Sequence, residues 1–166
     1  MGNFVATDLI RILLVTTLLF LAYIDLRTFR LPDVLTIPLL FFGLCFNAFA
    51  PTQFASLQNA ILGAILGYAL LWLTNYFYRL SKKLDGIGMG DAKLLAGLGA
   101  WFGWYAIPEV LFLASIGGLL GGLFWLYRQK KGYQMAFPFG PFLAFAGIIE
   151  LLWPQFLQNL LLSNPI

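Results

Sequence analysis

Long apolar runs alternate with short polar stretches along the whole chain, and an α-helix needs about 20 mostly apolar residues to cross the hydrocarbon core of a bilayer. Six such runs predict membrane-spanning helices. The first runs from about Phe4 to Ile24; Asp8 and Arg11, one helical turn apart near its outer end, are placed to pair. The second covers Val34 to Phe49 and the third Leu57 to Tyr78. A polar stretch from Arg79 to Lys93 precedes an apolar region, Leu94 to Tyr127, broken only by Pro108 and Glu109. That region is too long for one span, and it reads as a helical hairpin turning at Pro108, because the residue before a proline disfavours the helical conformation. The last span, Phe142 to Leu162, carries Glu150 and an expected kink at Pro154.

The positive charges fit this count. Arg27 and Arg30 follow the first span, Arg79, Lys82, Lys83 and Lys93 follow the third, and Arg128, Lys130 and Lys131 follow the fifth. Every basic residue but Arg11 therefore falls in alternate loops, and the positive-inside rule places those loops in the cytoplasm and both termini outside. The first run has the length of a signal-peptide core, but no small-x-small cleavage site follows it and basic residues flank it on both sides, so it is read as a retained span. Glycine pairs spaced by four (Gly63 and Gly67, Gly99 and Gly103, Gly117 and Gly121, Gly118 and Gly122) are expected to let helices approach closely. The expected fold is an all-α integral membrane protein of about six transmembrane helices, both termini non-cytoplasmic, in a single domain over residues 1–166.

Composition adds exclusions. Of 166 residues, 61% are hydrophobic and only 10% charged, against about a quarter charged in soluble domains. With no histidine, Ser-His-Asp and Cys-His nucleophiles, HExxH zinc sites and histidine-ligated haem are excluded. The single cysteine, Cys45, excludes an internal disulfide, a CxxC pair and a thiolate metal cluster. No metal and no cofactor is expected, and the net charge of +3 is too small to suggest nucleic acid. Catalysis, if any, falls chiefly to seven carboxylates, a few lysines and hydroxyl groups.

The topology sorts those carboxylates. Asp8, Glu109 and Glu150 lie toward the outer side or within the last span, whereas Asp25, Asp33, Asp85 and Asp91 lie at cytoplasmic span ends. Asp25 directly follows the apolar run Leu18 to Ile24. Asp91 closes the segment Gly86-Ile87-Gly88-Met89-Gly90-Asp91 and is followed almost at once by an apolar helix. An ionisable group at membrane depth costs about 2.5 to 3.5 kcal/mol at the centre of a span, less near its end, and is a functional candidate by default. Pairing with Arg27, Arg30 or Lys93 to fix topology is the competing role for either acid. The alternating glycines before Asp91 start a helix poorly, each costing about 0.5 to 1 kcal/mol relative to alanine; they are explained if another backbone, such as a substrate's, approaches there. Without histidine or thiol, two carboxylates sharing a proton are the remaining way to activate water for peptide hydrolysis, one as base and one as acid. The helix ends they occupy suggest Asp25 as acid and Asp91 as base, although coupled carboxylates titrate as a pair.

At these residues the sequence resembles the type IV prepilin peptidases, a bacterial family of intramembrane aspartic proteases of the GxGD class. Tyr23-Ile24-Asp25-Leu26-Arg27-Thr28-Phe29-Arg30-Leu31-Pro32-Asp33-Val34-Leu35-Thr36 resembles the family's first motif, an Asp after a span with Pro and Asp or Asn beyond it. Gly88-Met89-Gly90-Asp91-Ala92-Lys93-Leu94 resembles the second, and Pro138-Phe139-Gly140-Pro141 a third, a turn before the last span. The likeness extends from about Leu21 to Trp153.

The resemblance implies two catalytic aspartates, Asp25 and Asp91, in the bacterial inner membrane. It also implies removal of the short basic leader of prepilin or pseudopilin precursors on the cytoplasmic side. Gly88, Gly90, Pro32, Asp33, Lys93, Pro138, Gly140 and Pro141 are then candidates for shaping the substrate approach. The positive leader could meet Asp33 or Asp85, and Lys93 could orient or tune the pair; equally, Asp33 and Asp85 could be solvated loop charges, Lys93 a snorkelling interfacial lysine, and the Pro138 to Pro141 turn a structural stop. Long members of the family carry, before the matching part, a further span and two CxxC pairs linked to zinc binding and N-methylation. Only 24 residues precede Asp25 here and no CxxC occurs, which favours a peptidase-only short form and puts methyl transfer in doubt. Two rival readings are a small proton-coupled carrier using Asp25 and Asp91 as a relay, and an assembly protein without turnover. The oligomeric state is open.

Overall fold

A computed structural model of the chain describes residues 2–82, 88–128 and 138–155. The described residues form six α-helices: α1 (Gly2–Thr28), α2 (Asp33–Phe49), α3 (Leu57–Lys82), α4 (Met89–Phe102), α5 (Ala106–Arg128) and α6 (Gly140–Leu152). Among them, Thr7–Thr28 of α1, α3, and Ala106–Leu123 of α5 are long and apolar enough to cross a membrane, and α2 and α6 are shorter apolar helices. Ile12, Phe41, Phe77 and Leu119 stand exposed on the outer faces, as lipid-facing side chains would.

Helix α4 is the centre of the molecule. It packs on α2, α3, α5 and α6, and every residue from Leu94 to Trp101 is buried. A helix enclosed on all sides must be apolar all round, which is how this stretch reads in the sequence. Its 14 residues rise about 21 Å, less than the hydrocarbon thickness of about 30 Å, and enclosure by neighbours makes the shortness tolerable.

Two devices hold α4 in place. The first is a glycine seam with α3. A Cβ on Gly63 would overlap the Gly99 carbonyl, and one on Gly67 would lie 2.7 Å from the Leu95 carbonyl oxygen. The two backbones therefore touch, as the glycine pairs predicted. The second device, Asn47 of α2, has no counterpart in the sequence reading. Its Nδ2 donates to the carbonyls of Ala100 and Trp101 (2.8 and 2.9 Å) and its Oδ1 accepts from the N–H groups of Phe54 and Ala55 (3.0 and 3.1 Å). One side chain, 1% exposed, thus satisfies carbonyls that the end of α4 would otherwise leave unpaired and ties down the loop after α2. Trp101 adds an indole N–H donated to Leu39 O (2.8 Å), lying in a slot that exists because residue 43 is glycine.

Three expectations are corrected. The α4–α5 hairpin turns at Gly103, not at Pro108: Gly103 adopts φ +85°, the left-handed conformation glycine takes without penalty. Pro108 lies in the first turn of α5, where a missing N–H costs little. Helix α4 begins at Met89, five residues before the expected span, so Asp91 belongs to the helix itself. Helix α6 stops at Leu152 instead of kinking at Pro154; the remainder of the expected last span, and Asp85, Gly86, Lys83, Lys130 and Lys131, lie outside the described residues.

Candidate active site

Asp25 sits in the last turns of α1 and Asp91 in the first turn of α4. Both are buried, at 5% and 9% exposure, and Leu31 packs both on Gly90, the neighbour of Asp91, and on Gly140, which lies against Asp25. The fold therefore brings together the two acids singled out in the sequence.

The third motif meets them. The backbone N–H of Gly140, the first residue of α6, donates to Oδ2 of Asp25 at 3.1 Å. A Cβ on residue 140 would lie 2.7 Å from that same oxygen, so only glycine lets the α6 backbone come this near. Phe139 precedes the helix, Pro141 occupies its first turn, and Pro138, Gly140 and Pro141 are buried. The turn is thus both a helix start and a clamp on Asp25. Asp25 faces the amino end of α6 while Asp91 lies in the amino-terminal turn of α4, so helix ends do not distinguish acid from base as the sequence suggested, and the two are best treated as one pair.

Leu31, which no sequence argument picked out, locks the three motifs to one another. It is buried; its Cβ would lie 2.8 Å from a Cβ on Gly90, and its Cδ1 3.2 Å from one on Gly140. Gly90 is therefore needed for close approach by the chain's own Leu31, which corrects the idea that a substrate backbone explains it. A Cβ on Gly88, by contrast, would make only ordinary contact at 3.4 Å with Oδ2 of Asp91. The turn that delivers Leu31 is sharp. Phe29 ends α1 at φ 53°, a left-handed conformation costing about 1 to 2 kcal/mol outside glycine, and Pro32 then opens α2, its carbonyl accepting from the N–H groups of Leu35 and Thr36.

Lys93 and Asp33 find each other. Lys93 Nζ lies 2.6 Å from Asp33 Oδ1, linking α4 to the start of α2 at a partly exposed position. Asp8 and Arg11 form the exposed pair that their spacing predicted, at 3.8 Å. Glu150, buried on α6, accepts from Gln155 N–H at 3.4 Å through Oε1, and its charge interacts with that of Glu109; it has no contact with the Asp25 and Asp91 pair in any described interaction. Among the described residues no group of three or more His, Cys, Asp or Glu is placed to hold a metal ion.

Two carboxylates from separate helices thus lie buried, one of them held by a backbone N–H. Comparison with known proteins gives the family. The model of the type IV leader peptidase family matches residues 12–125, and the chain belongs to that family. It is 46% identical over 138 residues to a protein named prepilin leader peptidase/N-methyltransferase of Burkholderia pseudomallei (strain 1026b), covering 83% of this chain and 44% of the relative. It is 43% identical over 153 residues to the protein of the same name from Aeromonas hydrophila, covering 92% and 52%, and 46% identical over 131 residues to that from Dickeya chrysanthemi, covering 79% and 46%. The chain spans about half the length of these relatives. No solved structure matches it. Family and apolar helices together make it a multi-pass membrane protein.

Proposed function

We propose that this chain is an intramembrane aspartic endopeptidase that removes the short basic leader of prepilin or pseudopilin precursors. The observation that carries the reading is the convergence of Asp25 and Asp91, distant in sequence, in one buried pair under the Gly140 N–H. Family membership supports the peptidase over a proton-coupled carrier.

In this mechanism the pair shares one proton and holds a water between its members. The ionised carboxylate takes a proton from the water as its oxygen attacks the scissile carbonyl carbon. The protonated partner donates to the carbonyl oxygen, giving a neutral tetrahedral diol. In the collapse the carboxylic acid now protonated gives its proton to the amide nitrogen, the ionised partner takes one from a diol hydroxyl as the carbonyl re-forms and the C–N bond breaks, and the pair is left with its single proton. Gly140 holds Oδ2 of Asp25, fixing the carboxylate plane and leaving Oδ1 for the water. Such a pair gives a bell-shaped dependence of rate on pH.

The distribution of Arg and Lys supports a topology of six spans with both termini outside and the pair at the cytoplasmic face of the bacterial inner membrane. Asp33, paired with Lys93, then braces the entrance to the site, and the leader's positive charge is met there only if that pair opens. The methyl-transfer half of the relatives' name is not part of the proposal.

The test is a cleavage assay. Purified wild-type protein is mixed with a prepilin-like precursor and the shortened product followed on a gel. Failure to cut any such precursor overturns the reading.

A further inference from the structure

Around the central α4 the other helices form a ring: α2 packs on α3, α3 on α5, α5 on α6, and α6 on α1. Among the described residues the ring is open between α1 and α2. Helices α1 and α2 are joined by a four-residue link, Phe29 to Pro32, and bridged at the other end, where Thr7 Oγ1 meets Thr52 Oγ1 at 3.2 Å, yet they barely touch between those two ties.

The opening is a groove of about 670 Å³. Its walls are Leu13 and Leu14 of α1 and Phe42 and Cys45 of α2, and Trp101 of α4 lies on its floor. Thr17, the one hydroxyl in the lining, already donates to Leu13 O at 2.8 Å. Apart from the weakly polar thiol of Cys45, the groove therefore offers apolar surface, which suits an apolar occupant. It runs along α2 from Phe49 to Leu35, about 21 Å at helical rise, a large part of the hydrocarbon thickness of about 30 Å. Its inner end stops one turn short of Leu31, the residue that packs on Gly90 and Gly140 beside the aspartates.

We infer that the α1–α2 groove seats one face of the substrate's apolar membrane helix, which enters sideways from the bilayer through the open joint of the ring. This rests on the peptidase reading above and adds the surface by which the substrate is held. On its α2 wall the groove reaches Leu35, one turn from Leu31, while on α1 its innermost lining residue, Thr17, lies about two turns before Asp25; a helix seated there points its inner end, with the scissile bond, toward Asp25 and Asp91. An acyl chain of a lipid has matching chemistry. What favours the substrate helix is position: the open joint borders the helix that carries Asp25 and reaches the helix that carries Asp91.

Cys45, the only cysteine in the chain, makes the groove directly testable. The full-length Asp91→Asn protein is mixed in membranes with precursors carrying one cysteine at successive positions of the apolar helix, and disulfides are formed by mild oxidation. Cross-links to Cys45 are expected at positions spaced three to four residues apart, and none with Cys45→Ser. In parallel, Leu13→Trp, on the groove wall, is compared with Leu119→Trp on α5, two residues that are 67% and 65% exposed. Leu13→Trp is expected to raise KM about tenfold with kcat unchanged, the signature of lost substrate binding, and Leu119→Trp to leave both unchanged. If the wild type cuts the precursor while no Cys45 cross-link forms and Leu13→Trp keeps its KM, the groove holds lipid only and the inference is overturned. If the wild type cuts nothing, the peptidase reading fails instead.

Discussion

The N–H of Gly140 and the carboxylate of Asp25 form the joint on which the site turns. They lie 3.1 Å apart, and the missing side chain at 140 is what permits the distance. A methyl group there would push the carboxylate or the start of α6 aside. Gly140→Ala is therefore expected to lower kcat about 100-fold, the scale of loss from misplacing a reacting group by about 1 Å, while the protein still inserts and melts near the wild-type temperature. Unchanged kcat would show that the clamp does not position Asp25.

Lys93 follows the GxGD motif closely enough to invite a catalytic role, but its ammonium is held by Asp33 at 2.6 Å. The pair is partly exposed, so its contribution to stability is expected to be about 0 to 1 kcal/mol and to weaken with salt. Lys93→Met and Asp33→Asn should then affect cleavage to the same small extent, and the double variant no more than either alone. A large loss confined to Lys93→Met would show that the lysine acts on the aspartates.

Asn47 is a stability element remote from chemistry. Asn47→Leu removes four hydrogen bonds at once, two from buried carbonyls and two from part-buried N–H groups. With each stranded polar group costing about 1 to 3 kcal/mol, a loss of about 3 kcal/mol or more is expected, read as a large fall in melting temperature in detergent. A shift of only a degree or two would mean that water or a rearranged loop replaces the amide.

Much of this was legible in the chain because membrane helices announce themselves by length and apolarity, and Asp25 and Asp91 stand out as acids where acids are costly. The Gly63 seam was legible for the same reason, since small residues at a spacing of four have few other uses. What escaped was tertiary. Leu31 reads as one more leucine in a loop, and only the meeting of Gly90 and Gly140 across it reveals its place. Asn47 reads as a polar residue near a span end, and its four partners lie in segments that nothing local connects to it. Pro108 misled because a proline that ends one helix and a proline that begins the next look alike without the turn, and the turn itself rests on the φ of Gly103.

The most direct measurement is the rate at which purified wild type, Asp25→Asn and Asp91→Asn cut a prepilin-like precursor, with insertion and melting checked for each. An asparagine cannot take the proton from water or hold one for the carbonyl oxygen, so each variant is expected to lose about 1,000-fold or more while remaining folded. Cleavage at a normal rate by either variant would contradict the shared role of the two aspartates.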